Sequence, residues 1–147
     1  MDRRRASRFA RRLTTLSSNA GNGGPDAEAL LRQNLDPRTF DFGSVDPGYV
    51  GISISGGRRI VLNRDDMINA VKALGPHLSL WQVKDLTIMN KSSAGPFTTL
   101  TYSYAVMMKI SEKEFVVKAI DQDTYELRGG ALKLVFGIHT EERTQNL

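Results

Sequence analysis

The stretch from Leu100 to Ile110 alternates with a period of two. Leu100, Tyr102, Tyr104, Val106, Met108 and Ile110 fall on one side, and Thr99, Thr101, Ser103, Ala105, Met107 and Lys109 on the other. Successive side chains of an extended chain point to opposite faces, so this pattern specifies a strand with one buried and one wetter face. A second alternation, Leu132, Leu134, Phe136 and Ile138, follows a Gly129-Gly130 turn. Such strands require a sheet, and an apolar sheet face must be covered by a second layer. Tyr102 and Tyr104 lie on the more apolar side and are assigned to the interior.

The rest of the chain supplies that layer. Tyr49 to Ser55 alternates and meets Arg58 to Leu62 across Gly56-Gly57, a hairpin signal. Asn63 can cap a helix that starts at Arg64, with Asp65 and Asp66 in its positive first turn. Met67, Ile68, Val71 and Leu74 form one face of this helix, and Gly75-Pro76 stops it. Pro25 suits the first position of a short helix through Leu31, limited by Pro37. Its narrow stripe of Leu30, Leu31 and Leu35 predicts a docking segment over residues 25–38, outside the core. Ser79 could cap a single turn carrying Leu80 and Trp81, and Leu86 and Ile88 indicate a short strand ending at Asn90. Residues 91–96 read as a loop, and Ser111–Glu114 and Asp121-Gln122-Asp123 as turns. The fold class is therefore α+β: a mostly antiparallel sheet of about six or seven strands, one well-defined helix over about 64–74, and one or two short helices. A single domain spans 39–140, and a polar tail follows over 141–147.

Charge divides the chain unevenly. Arg3, Arg4, Arg5, Arg8, Arg11 and Arg12 face only Asp2 in the first thirteen residues, while the whole chain of 147 carries +4. The basicity thus belongs to an arm, residues 1–24, that ends in the glycine-rich linker Ser17–Gly24. Such an arm suits a polyanion, either nucleic acid phosphates or an anionic lipid surface. As a helix it would group Phe9, Leu13 and Leu16 for membrane insertion. Arg4-Arg5-Ala6-Ser7 matches a basophilic kinase substrate, making Ser7 a phosphorylation candidate. Arg58 and Arg59, at a hairpin tip, extend the polyanion-binding set. No apolar run approaches the roughly 18 to 20 residues of a spanning helix, and no apolar segment follows the N-terminal charges as a secretory signal would require.

Motifs for catalysis are missing. The chain has no cysteine, and its two histidines, His77 and His139, fall in no metal-binding spacing. No phosphate loop and no nucleophile elbow occurs. Asp121 and Asp123 could offer oxygen ligands, but no glycine or glutamate completes a calcium loop, and a polar turn accounts for them. No metal or cofactor is assigned, and an enzyme remains only as an alternative. Ala105 and Met107, where the wet face of the long strand turns apolar, are candidates for self-association.

A basic arm, a glycine linker, a hairpin, a helix and a strand-rich second half, from Arg3 to about His139, resemble the small matrix proteins of negative-strand RNA viruses, particularly the rhabdovirus kind. The Pro-Pro-x-Tyr budding motif found in such arms is absent. The resemblance implies a non-enzymatic assembly protein of the virion interior and host cytoplasm. It would self-associate and hold an anionic membrane or a nucleocapsid through its arm. The alternatives are a small RNA-virus capsid protein or an RNA-binding accessory protein using the arm on phosphates.

Overall fold

The computed structural model describes residues 26–146. Their elements are α1 (Ala27–Asn34), β1 (Val45–Ser55), β2 (Arg58–Asn63), α2 (Arg64–Leu74), β3 (Leu78–Ala94), β4 (Phe97–Ile110), β5 (Lys113–Arg128) and β6 (Ala131–Asn146). Single 3-10 turns precede β1 and β3, at Phe42–Ser44 and Gly75–His77. The fold is α+β, with a six-stranded sheet in the order β2-β1-β6-β5-β4-β3. All neighbours pair antiparallel except β1 and β6, which run parallel.

The main helix begins where its cap dictates. The Asn63 side chain accepts from the Asp66 amide, and the Asp66 carboxylate accepts from the Asn63 amide, so two otherwise unpaired donors are satisfied reciprocally. Ile68 is buried, and Met67, Val71 and Leu74 face inward beside it. The alternation in β4 also holds: Leu100, Tyr102, Val106 and Met108 are buried on the inner face. Two apolar clusters share that face. One joins Leu31 of α1 and Val45 to Tyr49, Leu100, Tyr102, Tyr125 and Leu134. The other gathers Val106, Met108 and Val117 under Trp81 and Phe115.

Four readings of the sequence change. The segment 25–38 is not peripheral: Leu31 is 1% exposed in the core, and α1 is capped by Asp26 rather than led by proline. Residues 79–94 form neither a helical turn nor a loop. They extend β3, because β4 offers partners along its length as far as Ala94 against Phe97. Residues 141–146 continue β6 against β5, where a fraying tail is expected from composition. Asp121-Gln122-Asp123 is not a turn but the middle of β5, paired on both sides. The residues of the arginine arm, with Ser7, Phe9, Leu13 and Leu16, lie outside the described residues.

Three hairpins have two-residue turns with both central φ positive: Gly56-Gly57, Gly129-Gly130, and, without glycine, Ser111-Glu112 at 48° and 74°. Side chains resist this region, so the third turn carries strain that asparagine and glycine avoid. Ser111→Asn with Glu112→Gly is expected to stabilise the chain by roughly 1 kcal/mol in denaturant unfolding.

Candidate functional site

The inner sheet face and the two helices leave a cavity of about 330 Å³. Most of its wall is apolar: Leu31, Leu35, Phe40, Ile52, Leu62, Met67, Val71, Leu74, Leu134 and Ile138. Its polar end comes from three adjacent strands. Tyr102 and Tyr104 stand on β4, Asp121, Asp123 and Tyr125 on β5, and His139 on β6. Register brings them together, since Tyr102 pairs with Asp121 and Asp121 with His139. The alternation of β5 passes without a break from Val117 and Ala119 through Asp121 and Asp123 to Tyr125, so two carboxylates occupy inward, core-like positions.

Buried polar groups must be paired, and most of these are. Tyr102 donates through its hydroxyl to Asp121 Oδ2 at 3.1 Å or to Asp123 Oδ2 at 2.5 Å. Tyr104 donates to Asp121 Oδ2 at 3.0 Å. His139 Nδ1 lies 2.6 Å from Asp121 Oδ1, and its Nε2 lies 2.8 Å from Glu141 Oε1. Arg143 donates to Glu141 Oε2 at 3.1 Å and closes the network toward solvent.

The charges are distributed unequally. Burial disfavours the imidazolium of His139, but the hydrogen bonds and charges of Asp121 and Glu141 outweigh it and push the group up to about 10. His139 is therefore a cation at neutral pH with both N–H groups committed, and it cannot serve as a free base. The hydrogen bond from His139 holds Glu141 below the ordinary glutamate range, against its partial burial. Asp123 goes the other way. Burial, then the charge of Asp121, push its carboxyl up to about 7, against the opposing pull of Tyr102, His139 and Tyr125. It keeps some exposed surface and lines the cavity.

Tyr49 completes this end. It is 8% exposed, and among the described residues its hydroxyl has no hydrogen-bond partner. Glycines make room for it. A methyl group at Gly137 would lie 3.0 Å from the Tyr49 hydroxyl and 3.1 Å from Asp123 Oδ1. At Gly51, paired with Gly137, it would lie 2.9 Å from two carbons of the Tyr49 ring, which has no free end to yield. Gly51→Ala is accordingly expected to cost about 1–3 kcal/mol in denaturant unfolding, and to lose most of that cost beside Tyr49→Leu.

The residues singled out from the sequence lie elsewhere. Arg58 and Arg59 are exposed at the start of β2, outside the cavity wall. Ala105 and Met107 lie on the opposite face of the sheet. The site was missed because its members are far apart in sequence and its two aspartates imitate a turn. The one available signal was inward periodicity carried through charged residues.

No family model matches the chain, and no curated protein matches it. Solved structures do. A conserved protein from Planctomyces limnophilus superposes with a TM-score of 0.66 at 9% identity, covering 81% of this chain and 94% of that one. An NTF2-like protein from Cytophaga hutchinsonii reaches 0.55 at 16% identity, covering 77% and 90%. A hexachlorocyclohexane dehydrochlorinase, LinA type 2, reaches 0.58 at 11% identity, covering 82% and 89%. This overturns the matrix-protein resemblance, and with it the viral structural, capsid and virion-interior readings. That likeness lay only in the order of arm, hairpin, helix and strands, whereas the strand order and the helices over one sheet face belong to another architecture. Among the described residues no helix is long and apolar enough to cross a membrane. The chain has an NTF2-like fold.

Proposed function

We propose that this protein binds a small, largely apolar molecule in the cavity and catalyses proton transfer on it, with Asp123 as the base. The observation that carries the reading is a carboxyl held near 7, lining an apolar cavity beside a Tyr49 hydroxyl that has no hydrogen-bond partner among the described residues. A general base works best with a pKa near the operating pH, and ordinary aspartate is far too acidic. In the step, the C–H bond of the substrate breaks and its proton passes to the Asp123 carboxylate. The electron pair develops toward an electronegative substrate atom, to which Tyr49 donates. His139 takes no proton; it holds Asp121 in place, and Asp121 in turn keeps the proton affinity of Asp123 high. Such chemistry needs one carboxylate and one oriented donor, which no sequence motif marks. The dehydrochlorinase among the structural neighbours gives this reading a precedent on the same fold.

The test is deuterium exchange at carbon. Small cyclic ketones incubated with the protein in heavy water should gain deuterium beside the carbonyl faster than in buffer, with the rate rising as pH passes through about 7. Asp123→Asn should abolish the gain. Exchange that survives this substitution, or none with any ketone tested, refutes the base assignment.

The outer sheet face suggests a second partner, another copy of this chain. No described helix covers it, and Ala105 and Met107 share it with Ile120, which is 49% exposed. Ile120→Glu is expected to shift the protein toward monomer in light scattering without altering the cavity, which lies on the other side.

A further inference from the structure

The cavity also carries information about the charge of its ligand. All four tyrosines of the sequence and its only tryptophan line it. Beside Tyr49, Tyr102, Tyr104, Tyr125 and Trp81 lies Phe40, so six aromatic residues line the space. Asp121 and Asp123 share the wall, with Glu141 directly behind His139. Among the described residues no lysine or arginine lines the cavity. His139, the one cation among the described lining residues, has both ring nitrogens on carboxylates and offers no N–H to a ligand. The hydroxyls of Tyr102 and Tyr104 are likewise spent on carboxylates. Among the described residues acceptors thus exceed donors, and the Tyr49 hydroxyl, without a described partner, is buried at the same end.

An anionic ligand would find no free counter-charge among the described lining residues and would face the carboxylates of Asp121 and Asp123. A cation gains on both counts. Ring faces attract ammonium groups, most strongly where water is excluded, and a nearby carboxylate adds to the attraction. We propose that the cavity selects a molecule with an apolar body and a cationic nitrogen, an amine or a quaternary ammonium, seated among the tyrosine rings with Asp123 as its counter-ion. The inference rests on the cavity being the ligand site and deepens that reading. A cationic nitrogen beside the reacting carbon would also acidify it, because its charge offsets the negative charge left when the proton departs.

Trp81 supplies the measurement, because it is the only tryptophan and its ring lies on the cavity wall. Its emission in the full chain at pH 8 would be titrated with benzyltrimethylammonium, with the uncharged carbon isostere neopentylbenzene, and with 3-phenylpropionate. The expected order is the ammonium at least about tenfold tighter than the isostere, with no binding of the carboxylate. Asp123→Asn should bring the ammonium and the isostere within about twofold of each other. If the isostere binds as tightly as the ammonium, or the carboxylate binds at all, the charge selection is refuted while the cavity stands as a ligand site. A preference undiminished by Asp123→Asn overturns the assignment of the counter-ion. If none of the three changes the emission, both this inference and the cavity reading fall.

Discussion

Asp123→Asn is expected to raise the melting temperature at pH 8 and to leave it nearly unchanged at pH 4. Burial and the charge of Asp121 raise this carboxyl from an ordinary 3.8 to about 7. The folded chain therefore keeps a proton on Asp123 that the unfolded chain releases from about pH 4 upward. The stability this proton confers is complete below that range and is lost as pH rises through 7. A shift of about three units corresponds to roughly 4 kcal/mol at most, and relaxation around a buried charge lowers the expected gain to about 2–4 kcal/mol. For a chain of this size that is on the order of 5–10 °C. Asparagine preserves the shape, and its carbonyl can accept the Tyr102 hydroxyl. Calorimetry of both proteins at pH 4 and pH 8 decides the matter. Equal differences at the two pH values would mean that the carboxyl titrates normally, and the proton-transfer reading would lose its basis. The same substitution removes the proposed base, so a more stable and inactive protein is the expected signature of a site under strain.

How far the site was legible follows from where its partners lie. The capping box of α2 is local, Asn63 to Asp66, and both its position and its consequence can be read from neighbouring letters. The buried face of β4 is equally local, because a period of two over Leu100–Ile110 admits one inward set. Asp121 and Asp123 are different. Their composition suits a turn, and what makes them strand residues lies on other strands: Tyr102, nineteen residues before Asp121, and His139, eighteen after it. Register aligns these residues. The two-residue turn at Ser111-Glu112 sets Tyr102 against Asp121 but has no glycine to mark it. An irregularity between Thr124 and Tyr125 shifts the pairing that Gly129-Gly130 begins. The aromatic side chains gave a partial hint. Tyr102 and Tyr104 on an inward face need partners for their hydroxyls, and such partners had to come from the neighbouring strand.

His139→Gln is expected to be among the most damaging substitutions in the described structure. The imidazolium stands between Asp121 and Glu141, 2.6 and 2.8 Å from their oxygens. The partners are sequestered, with side-chain exposures of 11% and 13%. Glutamine can donate to one carboxylate but carries no charge, which leaves Asp121 without its cation and Glu141 with Arg143 alone. The loss is expected at about 2–3 kcal/mol, short of a fully buried pair, because the His139 side chain is 32% exposed and Arg143 still pairs with Glu141. The loss should depend on pH in a definite direction. His139 is raised from 6.5 to about 10, so its contribution is complete below about 6.5 and is lost as pH rises through 10. The gap between wild type and variant should therefore be widest near pH 6 and narrow steadily toward pH 10. A gap that stays constant over this range would identify His139 as a packing residue. The loss should also reach the cavity. Without the imidazolium, one of the influences that lower Asp123 disappears, and the carboxyl should titrate above 7 in a carbon-detected carboxyl titration. Asp121→Asn removes the opposing charge and should move Asp123 the other way, toward the ordinary aspartate range. Shifts of opposite sign would establish that the histidine and the two aspartates act as one unit; shifts of the same sign would separate them.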